Sequence, residues 1–172
     1  ELEPGAPQVS VEDVALGARD VAVVVNDRDP QSVAVAEAYR GSRHLDPTYF
    51  VHLDFEPTPT MAPATFEAIR EEALSQVRPD AQAWVLTFSR PYAVGGMSVT
   101  SAFALGYGGA YANTSDAPCA DTKAVATYLT TSPRFQDDHG IRPAMMLLGE
   151  SEEEALALIG RGVDGDRTNP IG

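Results

Sequence analysis

One short stretch near the start of the chain, residues 20–32, constrains the fold more than any other. It reads Asp-Val-Ala-Val-Val-Val-Asn-Asp-Arg-Asp-Pro-Gln-Ser, so an apolar β-branched run ends at Asn26 and a polar turn leads to Pro30. Proline is favoured at the first position of a helix, and Asp29 before it is a favoured capping residue. A buried strand, a short turn and a capped helix are typical of the first β–α unit of an open α/β sheet.

The remaining apolar runs continue this alternation along the chain. Strands are predicted at residues 20–26, 49–54, 83–89 and 143–149. Helices are predicted to begin at Pro30, near Pro63, near residue 121 and after Ser151. Residues 98–106 fit either a strand or a short helix that ends at a glycine. Because strands separated by helices pair in parallel, we predict an α/β fold with an open, mainly parallel sheet and helices on both faces. This is a flavodoxin-like or Rossmann-like three-layer sandwich.

The length of 172 residues suits one well-buried domain. The polar, proline-containing start predicts an N-terminal extension over residues 1–15, followed by a single α/β domain over 16–163 and a tail over 164–172. No apolar run approaches the length needed to cross a bilayer, so no membrane insertion is expected. The single cysteine, Cys119, excludes an internal disulfide framework.

The charge balance narrows the class of partner. The chain has 25 acidic residues against 12 lysines and arginines, which gives a net charge of −13 at pH 7. Nucleic acids and anionic membranes are bound through clustered Lys and Arg, and the chain has no such cluster. The sequence therefore predicts no nucleic-acid partner, which leaves a small anionic molecule, a protein or a peptide as partner.

The turn after the first strand is the first candidate site. Ligands of open α/β sheets bind beyond the carboxyl ends of the strands, where Asn26, Asp27, Asp29 and Ser32 are expected. The carboxylates of this turn are suited to bind a divalent cation, and the helix N-terminus is suited to bind an anion. The alternative is that these side chains only accept hydrogen bonds from the turn amides and cap the helix. Capping accounts for Asp29 without a ligand, but Asn26 ends a buried strand at the binding edge. The absence of a G-x-G-x-x-G or Walker pattern disfavours a nucleotide cradle, and no cofactor is implied.

The loop after the third strand is the second candidate site. Its candidate binding residues are Ser89, Arg90, Tyr92 and Ser98. In a parallel sheet this loop emerges at the same edge as Asn26. Arg90 offers a fork for an anion, and Tyr92 offers an amphipathic surface. The hydroxyl of Ser98 is suited either to orient a ligand or to cap a helix.

Two cations are expected at this edge of the sheet. Arg28 is flanked by Asp27 and Asp29 and is expected to be neutralised by them. That leaves Arg90, whose guanidinium would attract a carboxylate, phosphate or sulfate. The alternative is that Arg90 pairs with Asp27 or Asp29 in a purely structural role.

The histidine content bears on whether the chain is an enzyme. Nucleophilic catalysis of the Ser-His or Cys-His type needs a histidine base, and the chain has three histidines. His52 is predicted to lie half buried in a strand. His139 adjoins two aspartates, but contiguous residues rarely converge on one ion, so no metal site is predicted. Two hypotheses stay open: a binding or accessory module at the edge formed by residues 26–32 and 89–98, or a hydrolase-like enzyme at the same edge.

Several blocks of the sequence resemble one bacterial protein family. The first block is Arg19-Asp-Val-Ala-Val-Val-Val-Asn-Asp-Arg-Asp-Pro-Gln-Ser32, and residues 83–94, 97–106 and 140–148 follow in the same order. From about residue 16 onward the chain resembles an uncharacterised family of exported proteins found in genomes that carry the exosortase (PEP-CTERM) sorting system. The resemblance implies export to the periplasm or beyond, and a genome that carries the exosortase system. It implies no activity, because the family has no established one. The resemblance does not distinguish the binding-module hypothesis from the enzyme hypothesis.

The chain departs from the pattern of that family in two respects. Members of the family are about twice as long, so the resemblance implies that this chain corresponds to the N-terminal half, and a hydrolase-like site would be completed by the other half. Members also carry cysteines just before the Met97 block and in the loop that follows it. Here Gly96 and the region of Ala112 stand at those places, which leaves Cys119 alone.

Overall fold

The computed structural model describes residues 16–108 and 132–168. Cys119, the predicted extension over 1–15 and the predicted helix near residue 121 lie outside these residues. The described elements are β1 (Val21–Asn26), α1 (Pro30–Arg43), β2 (Phe50–Leu53), β3 (Thr60–Met61), α2 (Pro63–Gln76), β4 (Ala83–Leu86), β5 (Ala93–Val94), β6 (Met97–Ser98), α3 (Val99–Leu105), α4 (Phe135–His139), β7 (Ala144–Met146) and α5 (Glu152–Thr168).

Four strands form one parallel sheet in the order β2-β1-β4-β7. They correspond to the four predicted strands, although the third ends at Leu86 rather than at residue 89 and the fourth ends at Met146 rather than at residue 149. The central strand β1 is buried along its whole length, and Val24 lies opposite Val51 on one side and Leu86 on the other. At the other end of the chain α5 continues to Thr168, beyond the domain boundary predicted at Val163.

Alternate side chains of the strands pack against helices on opposite faces of the sheet. Val24 belongs to a core cluster with Phe66 of α2 and Phe103 of α3. Val23 belongs to a second cluster with Ala36 of α1, and α5 packs in turn on α1. Helices therefore cover both faces, which confirms the predicted α/β three-layer sandwich.

A second, smaller sheet forms beside the first in the order β3-β5-β6. The loop predicted over residues 89–98 contributes β5 and β6, an antiparallel pair that turns at Gly95. Gly95 has a φ of 52°, and a Cβ there would lie 2.6 Å from the hydroxyl of Tyr107, so the turn requires glycine. The segment 98–106 forms the end of β6 followed by the short helix α3, and α3 ends at Leu105 with Gly106 as its C-cap.

The free edge of β2 is covered by one side chain. The Gln76 Nε2 donates to the carbonyl oxygen of His52 at 2.9 Å, and the amide of His52 donates to the Gln76 Oε1 at 3.0 Å. Gln76 thus satisfies both backbone groups that a further strand would use at this position.

Candidate functional site

The carboxyl ends of the parallel strands define one edge of the main sheet. The chain runs from β1 to β2 on one side of β1 and then through α2 to β4 on the other side. The topological switch point, where ligands of such sheets bind, therefore lies between β1 and β4. Asn26 ends β1, and Arg90 follows β4 at this same edge.

Asn26 is fully buried at the switch point. Its Oδ1 accepts hydrogen bonds from the amides of Arg28, at 3.2 Å, and Phe55, at 3.3 Å. These bonds tie the turn after β1 to the segment after β2. The buried Nδ2 of Asn26 has no acceptor in the described part of the chain, so one donor at this position remains unused.

A buried chain of hydrogen bonds joins β1, α1 and β4, and we call it the hydroxyl relay (Ser32 and Thr87). The amide of Asn26 donates to the Ser32 Oγ at 2.9 Å, and the Ser32 Oγ lies 2.8 Å from the Thr87 Oγ1. The Thr87 hydroxyl donates to the carbonyl oxygen of Val24 at 3.0 Å, so the proton between the two hydroxyls belongs to Ser32.

The hydroxyl relay changes the role expected for Ser32. Both of its residues are fully buried, and the hydroxyl of Ser32 already accepts one hydrogen bond and donates another. The structure therefore places Ser32 as a link between α1 and the sheet rather than as a side chain that faces a ligand. Thr87 was not among the candidate residues, although it follows an apolar strand as Asn26 does. The same rule would have found it had the predicted strand ended at Leu86 instead of residue 89.

The two aspartates of the turn also have protein partners. Asp29 Oδ1 accepts from the amide of Gln31 at 3.0 Å, which is the capping role given above as the alternative to ligand binding. Asp27 Oδ1 lies 2.7 Å from the Nδ1 of His52. The prediction of a half-buried His52 is wrong, because β2 is an edge strand and this side chain is exposed.

Arg28 forms salt bridges with Asp54 and Glu56, which follow β2. Its hydrogen bond to Glu56 and then its proximity to Asp54 raise the pKa of the Arg28 guanidinium. Arg28 is thus neutralised as expected, but the partners predicted for it, Asp27 and Asp29, are wrong. Each of those two aspartates is already engaged elsewhere.

The loop after β4 divides into two parts. Ser89 is partly buried and Arg90 is exposed, and no hydrogen bond or salt bridge joins Arg90 to any residue of 16–108 or 132–168. Tyr92 is 57% exposed, and its amide donates to the carbonyl of Pro59 in the direction of the small sheet. Ser98 Oγ accepts from the amide of Ser101 at 3.1 Å, so Ser98 caps α3.

A cleft of about 440 Å³ opens at this edge between residues 54–62 and the first half of α2. Its apolar lining includes Phe55, Met61 and Ile69. Its polar lining consists of Arg28, Asp54, Glu56, Thr58, Thr60 and Thr65. None of the binding residues selected from the sequence lines this cleft, which lies on the β2 side of the switch point rather than between the loops that follow β1 and β4.

The loop that carries Arg90 runs beside the segment that lines the cleft. The rings of Phe55 and Phe88 meet edge to face with their centroids 5.1 Å apart. Further along, the amide of Tyr92 donates to Pro59 at 3.0 Å. Along the chain, Arg90 lies between the residues that make these two contacts.

Neither a metal site, a membrane-spanning helix nor a known relative indicates the function of the described residues. Within the described residues, no group of three His, Cys, Asp or Glu side chains is placed to hold a metal ion. None of the helices described is both long and apolar enough to span a bilayer. Comparison with protein-family models, with curated proteins and with solved structures returned no match.

Proposed function

We propose that this chain is a small-molecule-binding or accessory module whose ligand occupies the cleft beside Arg28 at the carboxyl edge of the sheet. The position and lining of the cleft carry this proposal. It opens at the edge where open α/β sheets bind ligands, and it combines an apolar floor with a polar rim. The floor suits the apolar part of a ligand, and the rim suits groups that orient it.

The charges around the cleft define the ligand chemistry. The rim carries Asp54 and Glu56 against Arg28 alone, and Arg28 is already bound to both carboxylates. A cationic or hydroxyl-bearing group is therefore favoured inside the cleft. An anionic group is favoured at Arg90, which has no acidic partner among the described residues and whose loop runs beside the cleft. A ligand with an apolar face and polar groups at its ends satisfies both.

A cleft-filling variant tests this proposal. Ala68 is an exposed residue of α2 that lines the cleft, so Ala68→Trp should fill it. Ala157→Trp is the matched control, because Ala157 is exposed on α5 across the sheet. Wild type and both variants are screened by thermal shift against a panel of small amines, carboxylates and sugars. Compounds that stabilise wild type and Ala157→Trp should fail to stabilise Ala68→Trp. Equal stabilisation of all three proteins, or no stabilisation of wild type, would contradict the proposal.

A second candidate function, hydrolase-like catalysis at the same edge, is favoured by the pair His52 and Asp27. A carboxylate that holds one imidazole nitrogen while the ring stays exposed is the arrangement of a general base with its orienting acid. We expect His52→Gln to abolish hydrolysis of p-nitrophenyl acetate, Asp27→Asn to reduce it, and His139→Gln to leave it unchanged. Hydrolysis that is equal in His52→Gln and wild type would reject this function.

We further propose, from the resemblance to the exosortase-associated family, that the protein is an exported bacterial protein. Fractionation of the natural host followed by immunoblotting is the test. Recovery in the cytoplasmic fraction alone would contradict export. The charge of −13 supports the companion proposal that nucleic acid is not a partner. Salt-sensitive submicromolar binding to DNA or RNA would contradict that proposal.

A further inference from the structure

Two partly buried arginines lie beside one pair of aromatic residues. The Arg70 Nε, on α2, donates to the carbonyl oxygen of Phe103 at 3.4 Å. The Arg142 guanidinium, just before β7, lies 5.6 Å from the centroid of the Trp84 ring. The rings of Trp84 and Phe103 are themselves in edge-to-face contact with centroids 5.9 Å apart. The two guanidinium groups therefore lie around one buried aromatic pair.

Neither of these arginines has a carboxylate partner in the part of the chain that the structure describes. Salt bridges are formed by Arg28, Arg40, Arg43, Arg78 and Arg134. Arg142 instead donates its Nε to the carbonyl oxygen of Ala81 at 2.9 Å. The nearby carboxylate of Asp137 is bound by the Nε of Arg134 at 2.8 Å. The terminal guanidinium nitrogens of Arg70 and Arg142 thus have no acceptor among the described residues.

This arrangement is electrostatically unfavourable without an anion. Burial lowers the pKa of both Arg70 and Arg142, and the positive charge of Arg70 lowers the pKa of Arg142 further, against a smaller raising effect of the Asp137 carboxylate. Two like charges in a partly desolvated place repel each other more strongly than they would in water. In a chain with 25 acidic residues, the lack of a paired carboxylate at the two guanidiniums is therefore unexpected.

We propose that Arg70 and Arg142 form a binding site for a compact dianionic group, a phosphoryl group or a pair of carboxylates. Guanidinium forks match the oxygens of both groups, and two forks match two negative charges. Arg142 lies at the amino ends of β4 and β7, since its Nε is bound to Ala81. Arg70 lies on α2, and neither arginine lines the cleft, so this site does not depend on the function proposed for that cleft.

The single tryptophan of the chain supplies the assay. Trp84 lies beneath Arg142, so its fluorescence should respond to an anion bound there. The full chain is titrated with inorganic phosphate, succinate, acetate and chloride at constant ionic strength. We expect a saturable change with phosphate or succinate and none with acetate or chloride. Tighter binding of phosphate would indicate a phosphoryl ligand, and tighter binding of succinate would indicate a dicarboxylate.

Charge-removing variants locate the response. Arg70→Gln and Arg142→Gln should each weaken binding of the responding dianion by roughly tenfold or more, because each removes charge-assisted hydrogen bonds. Arg40→Gln is the matched control, since Arg40 is a surface arginine of α1, on the other face of the sheet, and is paired with Glu37. It should bind as wild type does. The absence of a saturable response in wild type, which needs no variant to fold, would overturn the proposal. An unchanged affinity in folded Arg70→Gln and Arg142→Gln would overturn it equally.

Discussion

The hydroxyl relay predicts a specific pattern of stability changes. Thr87→Val keeps the shape of the side chain but leaves the hydroxyl hydrogen of Ser32 without its acceptor. Ser32→Ala leaves the buried amide of Asn26 without its acceptor. Leaving a buried donor unsatisfied costs about 1–3 kcal/mol, so each variant should lose about that much free energy of unfolding. In a domain of this size a loss of about 2 kcal/mol lowers Tm by roughly 4–8 °C.

The double variant tests whether the two hydroxyls act as one unit. The bond between Ser32 and Thr87 is lost in each single variant but only once in the double variant, which also lacks the stranded hydroxyl. The loss in the double variant should therefore be smaller than the sum of the single losses by about 0.5–1.5 kcal/mol. Additive losses would refute the relay as a coupled unit.

Urea unfolding followed by Trp84 fluorescence and by circular dichroism measures these losses. Ser42→Ala is the matched control, because Ser42 is an exposed hydroxyl residue of the same helix α1. It should change the free energy of unfolding by less than about 0.5 kcal/mol. A neutral or stabilising Thr87→Val would refute the reasoning, because the hydroxyl of Ser32 would then have found another acceptor.

Two further predictions follow from the charged groups. Arg90→Ala should leave the free energy of unfolding unchanged within about 0.5 kcal/mol while weakening binding of an anionic ligand, whereas a loss of about 1–3 kcal/mol in urea unfolding would show a structural role instead. The amide of Thr48 donates to Asp46, and this bond lowers the pKa of that carboxyl below its ordinary value of 3.8. The contribution of Asp46 to the free energy of unfolding is therefore complete above its ordinary pKa. It is lost as the pH falls through the lowered pKa of the folded protein. Asp46→Asn should accordingly make the urea midpoint fall less steeply than in wild type between about pH 5 and pH 2. An equal slope in Asp46→Asn and wild type would contradict this assignment.

The sequence predicted the sheet because its strands are encoded locally. The run that ends at Asn26 is apolar at every position before that residue, as a strand buried on both faces must be. The exposure of His52 was not predictable in the same way. It depends on which strand lies at the edge of the sheet, and strand order is a property of tertiary packing.

The side-chain partners at the candidate site depend on contacts that are distant along the chain. Ser32 and Thr87 are 55 residues apart, and Arg28 is 28 residues from Glu56. Proximity in sequence suggested Asp27 and Asp29 as partners of Arg28. In a tight turn, however, successive side chains point in different directions, and each aspartate reached a closer group. The sequence located the edge where the polar groups gather, while the packing of β2 and β4 beside β1 decided which of them meet.

The contact between Gln76 and His52 has a consequence for how molecules of this protein behave at high concentration. The unpaired backbone groups of an uncovered edge strand can hydrogen-bond to an extended segment of another molecule, and such pairing commonly begins aggregation. Gln76 prevents such pairing at His52, near the middle of β2, because it occupies both the amide and the carbonyl of that residue. A change at this position would therefore affect the tendency of folded molecules to associate more than the stability of a single molecule. A glutamine on the surface of a helix thereby contributes to keeping the molecules apart.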